Sequence, residues 1–143
     1  MDVSDLRRRI LRALDEARHE AAAKRSEKDA AQIAYDEFLT RVAVPLLRQA
    51  QDILKAERQG FTVHTPPGSA RLSADGSPET FVEFTLDAAG AGPQVLGRVS
   101  LARGLKRVVI EERPIAPGKS IQDLGDDDVA GFLVLEIPKL IKP

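Results

Sequence analysis

Apolar positions in this chain follow two different periods, and the change falls near Gly60. Upstream, they recur in steps of three, four or seven through Val3, Ile10, Leu14, Ala17 and Ala21. Lys24 and Lys28 then interrupt, and Ala31, Tyr35, Phe38 and Val42 follow. These steps match the about 3.5-residue repeat of a heptad and predict one long helix with a partner-seeking stripe. Composition agrees, because this part has no glycine, one proline and abundant Ala, Leu, Arg, Glu and Lys. Asp2 or Ser4 can cap its start, and Gly60 is placed to follow its end. Pro45 removes an amide donor to the carbonyl of Arg41, and Val44 is a poor cap for a new helix. A helix kinked near Pro45 is therefore expected rather than two helices, with a break within residues 24–30 as the alternative. Beyond the proline, Leu46, Leu47, Ala50, Ile53 and Leu54 form an apolar face for a sheet.

Downstream, the period shortens to two, and all ten glycines and eight of the nine prolines lie here. Alternation in TFVEFTLD and QVLGRVSLAR predicts an antiparallel meander of four to five strands. Pro67-Gly68 suits the centre of a type II turn, which sets His64 opposite Arg71. Closing the loop between Asp87 and Gln94 pairs Val82 with Val99 and Phe84 with the bare backbone of Gly97. Gly104 suits the first central position of a two-residue type II′ turn with Leu105. That turn would pair Leu101 with Val108, Val99 with Ile110 and Arg98 with Glu111. A ladder Glu83–Arg98–Glu111 on the outer face follows, with Ile110 and Glu112 turned toward the helices.

The last element begins at GDDDVAGFLVLEIPKL. Asp126 stands where a helix cap belongs, and Asp127 and Asp128 would complement the helix dipole. The apolar run behind them covers nearly every side, so this C-terminal helix is expected to be deeply buried or shared with a partner. The fold class is α+β: a long N-terminal helix, the meander and the C-terminal helix. Residues 1–59 form a helical interaction segment. Residues 60–143, together with 46–59, form one globular domain.

Chemistry is sparse. The chain has 143 residues, a net charge of −1 and no cysteine, which excludes disulfides and thiolate catalysis and suits a reducing cytoplasm. No apolar run reaches the about 20 residues of a membrane span, and the charged N-terminal stretch lacks a signal-peptide core. Basic residues number 12 up to Gly60 and 9 beyond it, each set balanced by 11 acidic ones. The arginines at 7, 8, 9 and 12 sit among Asp2, Asp5, Asp15 and Glu16, so nucleic acid is not an expected partner.

Adjacent aspartates at 126–128 cannot converge on one cation, and Val129, Ala130 and Gly131 offer no side-chain ligand. His19 and His64 stand alone, and no metal or cofactor is expected. Gly118-Lys119-Ser120 has the tail of a phosphate-binding loop, but Pro114 occupies the place of its first glycine. No serine lies in a nucleophile frame.

The leading expectation is a non-catalytic interaction or assembly protein, homo-oligomeric through its long helix, its C-terminal helix or both. Ile10, Leu14, Ala17, Ala21, Tyr35, Phe38 and Val42 are the candidate contact residues. The alternative is a small-ligand binder with an apolar pocket between sheet and helices, lined by Phe84, Val99 and Ile110 with Glu112 as its polar group.

Overall fold

The computed structural model describes residues 1–90, 92–104 and 107–141. It has the expected α+β architecture of a long N-terminal helix, an antiparallel sheet and a C-terminal helix. Helix α1 spans Val3–Phe38, and the Asp2 carboxylate caps it by accepting from the Ser4 amide at 3.4 Å. Residues 1–30 are exposed on every side, and Ala31 is the first buried position. At a rise of 1.5 Å per residue, α1 therefore projects about 40 Å of bare rod from the body. The globular part begins at Ala31, earlier than the expected boundary at residue 46, because Ala31, Ala34, Tyr35 and Phe38 already pack into the core.

The helix continues through Pro45 without a break. Leu39–Ala43 form a π turn, and α2 runs Val44–Ala56. The Val44 amide donates to the carbonyl of Leu39, five residues back. A proline cannot complete the normal ladder, and widening the preceding turn lets the chain pass it in helical conformation. At the far end, Arg58 rather than Gly60 takes the left-handed position, with φ 61°. The Gln59 amide closes back on the Leu54 carbonyl at 2.8 Å, which satisfies the helix end.

Five strands follow in the order β1 (Phe61–His64), β2 (Ala70–Ala74), β3 (Ser77–Asp87), β4 (Gln94–Arg103) and β5 (Arg107–Pro114). Each is antiparallel to the next. The turn at Pro66–Ser69 has Gly68 at φ 77° and closes by a 3.1 Å bond from the Ser69 amide to the Pro66 carbonyl. His64 pairs with Arg71, Val82 with Val99, Glu83 with Arg98 and Phe84 with Gly97, all in the expected register.

The last hairpin corrects the sequence reading. Arg103 pairs with Arg107, so three residues connect the strands instead of two. Leu105 and Lys106, on which the expected turn falls, lie outside the described residues. The pairing moves by one: Val99 faces Glu111, Ser100 faces Ile110, and Arg98 faces Glu112. Side chains alternate along a strand, so this single step turns all of β5 over.

A 3₁₀ turn at Ile121–Asp123 leads into α3, Asp126–Leu140. Its cap is Gly125, one position before the expected Asp126. The Asp128 carboxylate reaches back to accept from the Gly125 amide at 2.9 Å. The aspartates thus open the helix, with Asp128 satisfying one of its orphan amides.

The helices cover one face of the sheet. Leu72, Val82, Phe84 and Val99 point inward and meet Tyr35, Leu47, Val129 and Phe132. Ring contacts run Tyr35 to Phe38 to Phe84 to Phe132, with centroids 6.4, 6.3 and 5.7 Å apart. The buried Tyr35 hydroxyl donates toward the carbonyls of Gly68 at 2.8 Å and Phe84 at 3.1 Å. At Gly97 the Phe132 ring of α3 lies against the bare backbone, so that an added Cβ would overlap it. Gly97→Ala is expected to destabilise the fold by about 1–3 kcal/mol through this overlap. Urea unfolding measures it, and an unchanged midpoint would show that Phe132 moves aside freely.

Candidate functional site

Three surfaces can be built from these elements. The first is the free part of α1. Val3 is 81% exposed, Ile10 50% and Leu14 45%, and Leu6 and Leu11 stand beside them at similar exposure. Ala17 and Ala21 continue the stripe, also exposed. Around it the charges are solvated and locally paired. Arg8 meets Asp5 at 2.7 Å, and His19 lies 3.6 Å from Asp15. Such exposed pairs contribute about 0–1 kcal/mol each and fix no geometry for chemistry.

The expected contact residues therefore divide. Ile10, Leu14, Ala17 and Ala21 are free, whereas Tyr35, Phe38 and Val42 pack against the chain's own core. The stripe runs on from rod to body, and the body takes its last part. Leu6 and Leu11, which flank the stripe, add to the free surface and were not among the expected contacts.

A groove between α2 and α3 is the second surface. Leu46, Ala50, Ile53, Leu133, Val134 and Ile137 line a volume of about 460 Å³ that is almost wholly apolar. Ile53 and Val134 are 64% and 73% exposed on its rims. The C-terminal helix is thus buried on one side through Val129, Phe132, Leu133 and Leu140, and bare on another through Val134 and Leu135. An all-round apolar pattern cannot say which side the sheet takes, so the sequence did not locate this groove.

The sheet itself supplies the third surface. Phe84 and Val99 lie on the helix-covered side, while the overturned β5 puts Ile110 and Glu112 on the other, both exposed. The four residues of the expected ligand pocket are not brought together. Phe132 closes the space above Gly97.

On the open side, paired positions form a row across all five strands: His64, Arg71, Glu83, Arg98 and Glu112. This is the expected ladder with Glu112 in place of Glu111, extended outward by Arg71. Arg71 holds Glu83 at 2.9 Å and stacks over Phe81, 3.9 Å from its centroid. Alternating signs leave the row without a strong field of either kind.

Two carboxyl groups sit well below their ordinary range. Asp128 is lowered by the Gly125 amide first and by the Lys119 ammonium, at 2.9 Å, second. Burial alone would raise Glu136, but the Arg113 guanidinium, 3.0 Å away, and the Lys139 ammonium outweigh it. Lys139 lies 3.1 Å from Oε2 off the hydrogen-bond direction, so that contact is electrostatic. Arg113 in turn stacks over Phe132 at 4.5 Å, tying β5 to α3. The Tyr35 hydroxyl is raised, chiefly by burial and then by the charges of Glu83 and Asp36. Asp128 and Glu136 are held ionised and Tyr35 neutral, each beside structural partners.

Among the described residues, no three His, Asp or Glu side chains converge as a metal set, and no helix is long and apolar enough to cross a membrane. Comparison with protein-family models, curated proteins and solved structures finds no match.

The Glu136 cluster gives a pH signature. Its folded pKa is depressed, so its stabilisation is present above the unfolded value of about 4.3 and is lost as pH falls through the folded value. Glu136→Gln is expected to cost about 1–3 kcal/mol at neutral pH. The deficit should shrink as the solution is acidified below about 4.3. Thermal unfolding across pH tests this, and a constant deficit would show that the charge of Glu136 contributes nothing.

Proposed function

We propose that this is a non-catalytic assembly protein that associates with itself through its N-terminal helix. The observation that carries this reading is that residues 1–30 are exposed throughout while presenting Val3, Leu6, Ile10 and Leu14 along one side. A solitary helix in water has only its propensity and local ion pairs to hold it, and the apolar stripe adds nothing until it is covered. Fully burying one such side chain contributes about 1.5–3 kcal/mol, and Leu6, Ile10 and Leu14 are already half covered by their own helix. Two copies pool twice the stripe against an association cost of about 4–15 kcal/mol. A modest, concentration-dependent dimer is the result these magnitudes favour. The α2–α3 groove is a second apolar surface open to a protein partner. Lack of cysteine supports a cytoplasmic setting.

The alternative of a small ligand held between sheet and helices has less support. Its polar group, Glu112, faces away from the helices, and aromatic rings fill the space it would need.

Sedimentation of the full chain over a range of concentrations tests the reading. Wild type should shift from monomer to dimer. Ile10→Glu with Leu14→Glu should stay monomeric, with the unfolding temperature of the diluted protein unchanged, because neither residue contacts the body. A wild-type chain that stays monomeric throughout overturns the proposal.

A further inference from the structure

We propose that the free edge of β5 is a second self-association surface, on which two copies pair antiparallel about Val109 and continue the sheet. This contact does not use the rod, so it goes beyond the reading above and stands or falls separately.

The sheet has two edges, and they differ in protection. β1 has only 4 residues, and the Gln51 carboxamide of α2 accepts from the Val63 amide at 2.7 Å, so a helix side chain occupies that edge. β5 has 8 residues, pairs with β4 alone and is exposed from Arg107 to Arg113. Val108, Val109 and Ile110 are 41%, 39% and 49% exposed. An open apolar edge of this kind is a template for another strand.

The backbone shows which groups the edge offers. The Ile115 amide donates to the Val95 carbonyl at 3.2 Å, in line with the pairing of Leu96 and Pro114. Odd-numbered residues of β5 therefore turn their peptide groups to β4, whereas Val108, Ile110 and Glu112 turn theirs outward. Pro114 falls in the outward set, where its missing amide costs no bond to β4 and ends the run of donors.

Side chains select the second copy and its register. Facing residues of an antiparallel pair share one side of the sheet, so the two-fold axis must pass through a residue. An axis at Val109 faces Arg107 with Glu111 and Val108 with Ile110, each pairing occurring in both directions. The outward peptide groups of Val108 and Ile110 then exchange both of their bonds. At Ile110 the axis would face Arg107 with Arg113, and at Glu111 or Glu112 it would face a carboxylate with itself. At Val108 it would join only residues 107–109 of β5. Parallel pairing sets each residue level with its own copy and brings no opposite charges together. Arg107, Val109 and Glu111 lie on the helix side yet are exposed, so the helices leave the approach open. Together with the rod, this edge gives each chain two separate two-fold contacts, from which assemblies larger than a dimer are built.

So short a strand pair holds free chains only briefly, and oxidation can trap it where sedimentation sees a monomer. Because the chain has no cysteine, Val109→Cys supplies one thiol on the axis, where facing Cα atoms are about 4.5 Å apart. Val108→Cys and Ile110→Cys place theirs about 7–8 Å from their own copies, at or past the reach of a disulfide. All three are made in the full chain carrying Ile10→Glu and Leu14→Glu, so that the rod takes no part, and are oxidised at high concentration. Val109→Cys should link severalfold faster than the other two. Adding Arg107→Glu should slow it severalfold, and adding Glu111→Arg as well should restore it. Equal rates at the three positions, or a Val109→Cys rate indifferent to both charge changes, would overturn the edge pairing. Sedimentation of the wild type decides the rod contact independently.

Discussion

The structure depends on where one helix is clamped. Tyr35 and Phe38 anchor α1 against Phe84 of the sheet, and Phe84 in turn meets Phe132 of α3. The Tyr35 hydroxyl fastens this file to the backbone by donating to the carbonyls of Phe84 and Gly68. Aromatic contacts of this kind add about 0.5–1.5 kcal/mol each beyond the area they bury. They fix both the direction in which the rod leaves the body and the side of it that remains bare. The free surface therefore inherits its orientation from the core.

Charge plays a supporting part. Three buried or half-buried carboxylates have opposite partners: Glu83 with Arg71, Glu136 with Arg113 and Lys139, Asp128 with Lys119. Arg71–Glu83 joins β2 to β3 and Arg113–Glu136 joins β5 to α3, so these pairs define which faces meet more than they add stability. Exposed apolar surface remains on the rod and between α2 and α3.

Much of the architecture was legible because local signals agreed with one another. A glycine-free first segment, strict alternation in β3 and β4, and a proline–glycine turn each specify an element without help from the rest of the chain. Register between β3 and β4 could be read because both strands alternate and a simple closure of the loop between Asp87 and Gln94 sets Val82 beside Val99 and Phe84 beside Gly97. The β4–β5 hairpin failed for a local reason. Gly104 fits the start of a two-residue turn and also a three-residue connection, and both are compatible with Val108-Val109-Ile110, where no polar position marks a face. Everything placed by that turn, including the pocket around Ile110 and Glu112, moved with it. The division of the heptad stripe between rod and core was hidden for a different reason: spacing shows which residues share a side and not which of them the sheet reaches.

The π turn before Pro45 has an effect beyond tolerating the proline. Each residue of a helix advances the side-chain direction by about 100°. One additional residue within Leu39–Ala43 rotates everything after it by that angle. Ala31, Tyr35 and Phe38 point at the sheet before the turn, and Leu47, Ala50 and Leu54 point at it afterwards. On a regular helix the two sets would look in directions more than a quarter-turn apart. The wide turn thus acts as a phase correction, letting a single uninterrupted helix keep one flank toward the same sheet over its whole packed length.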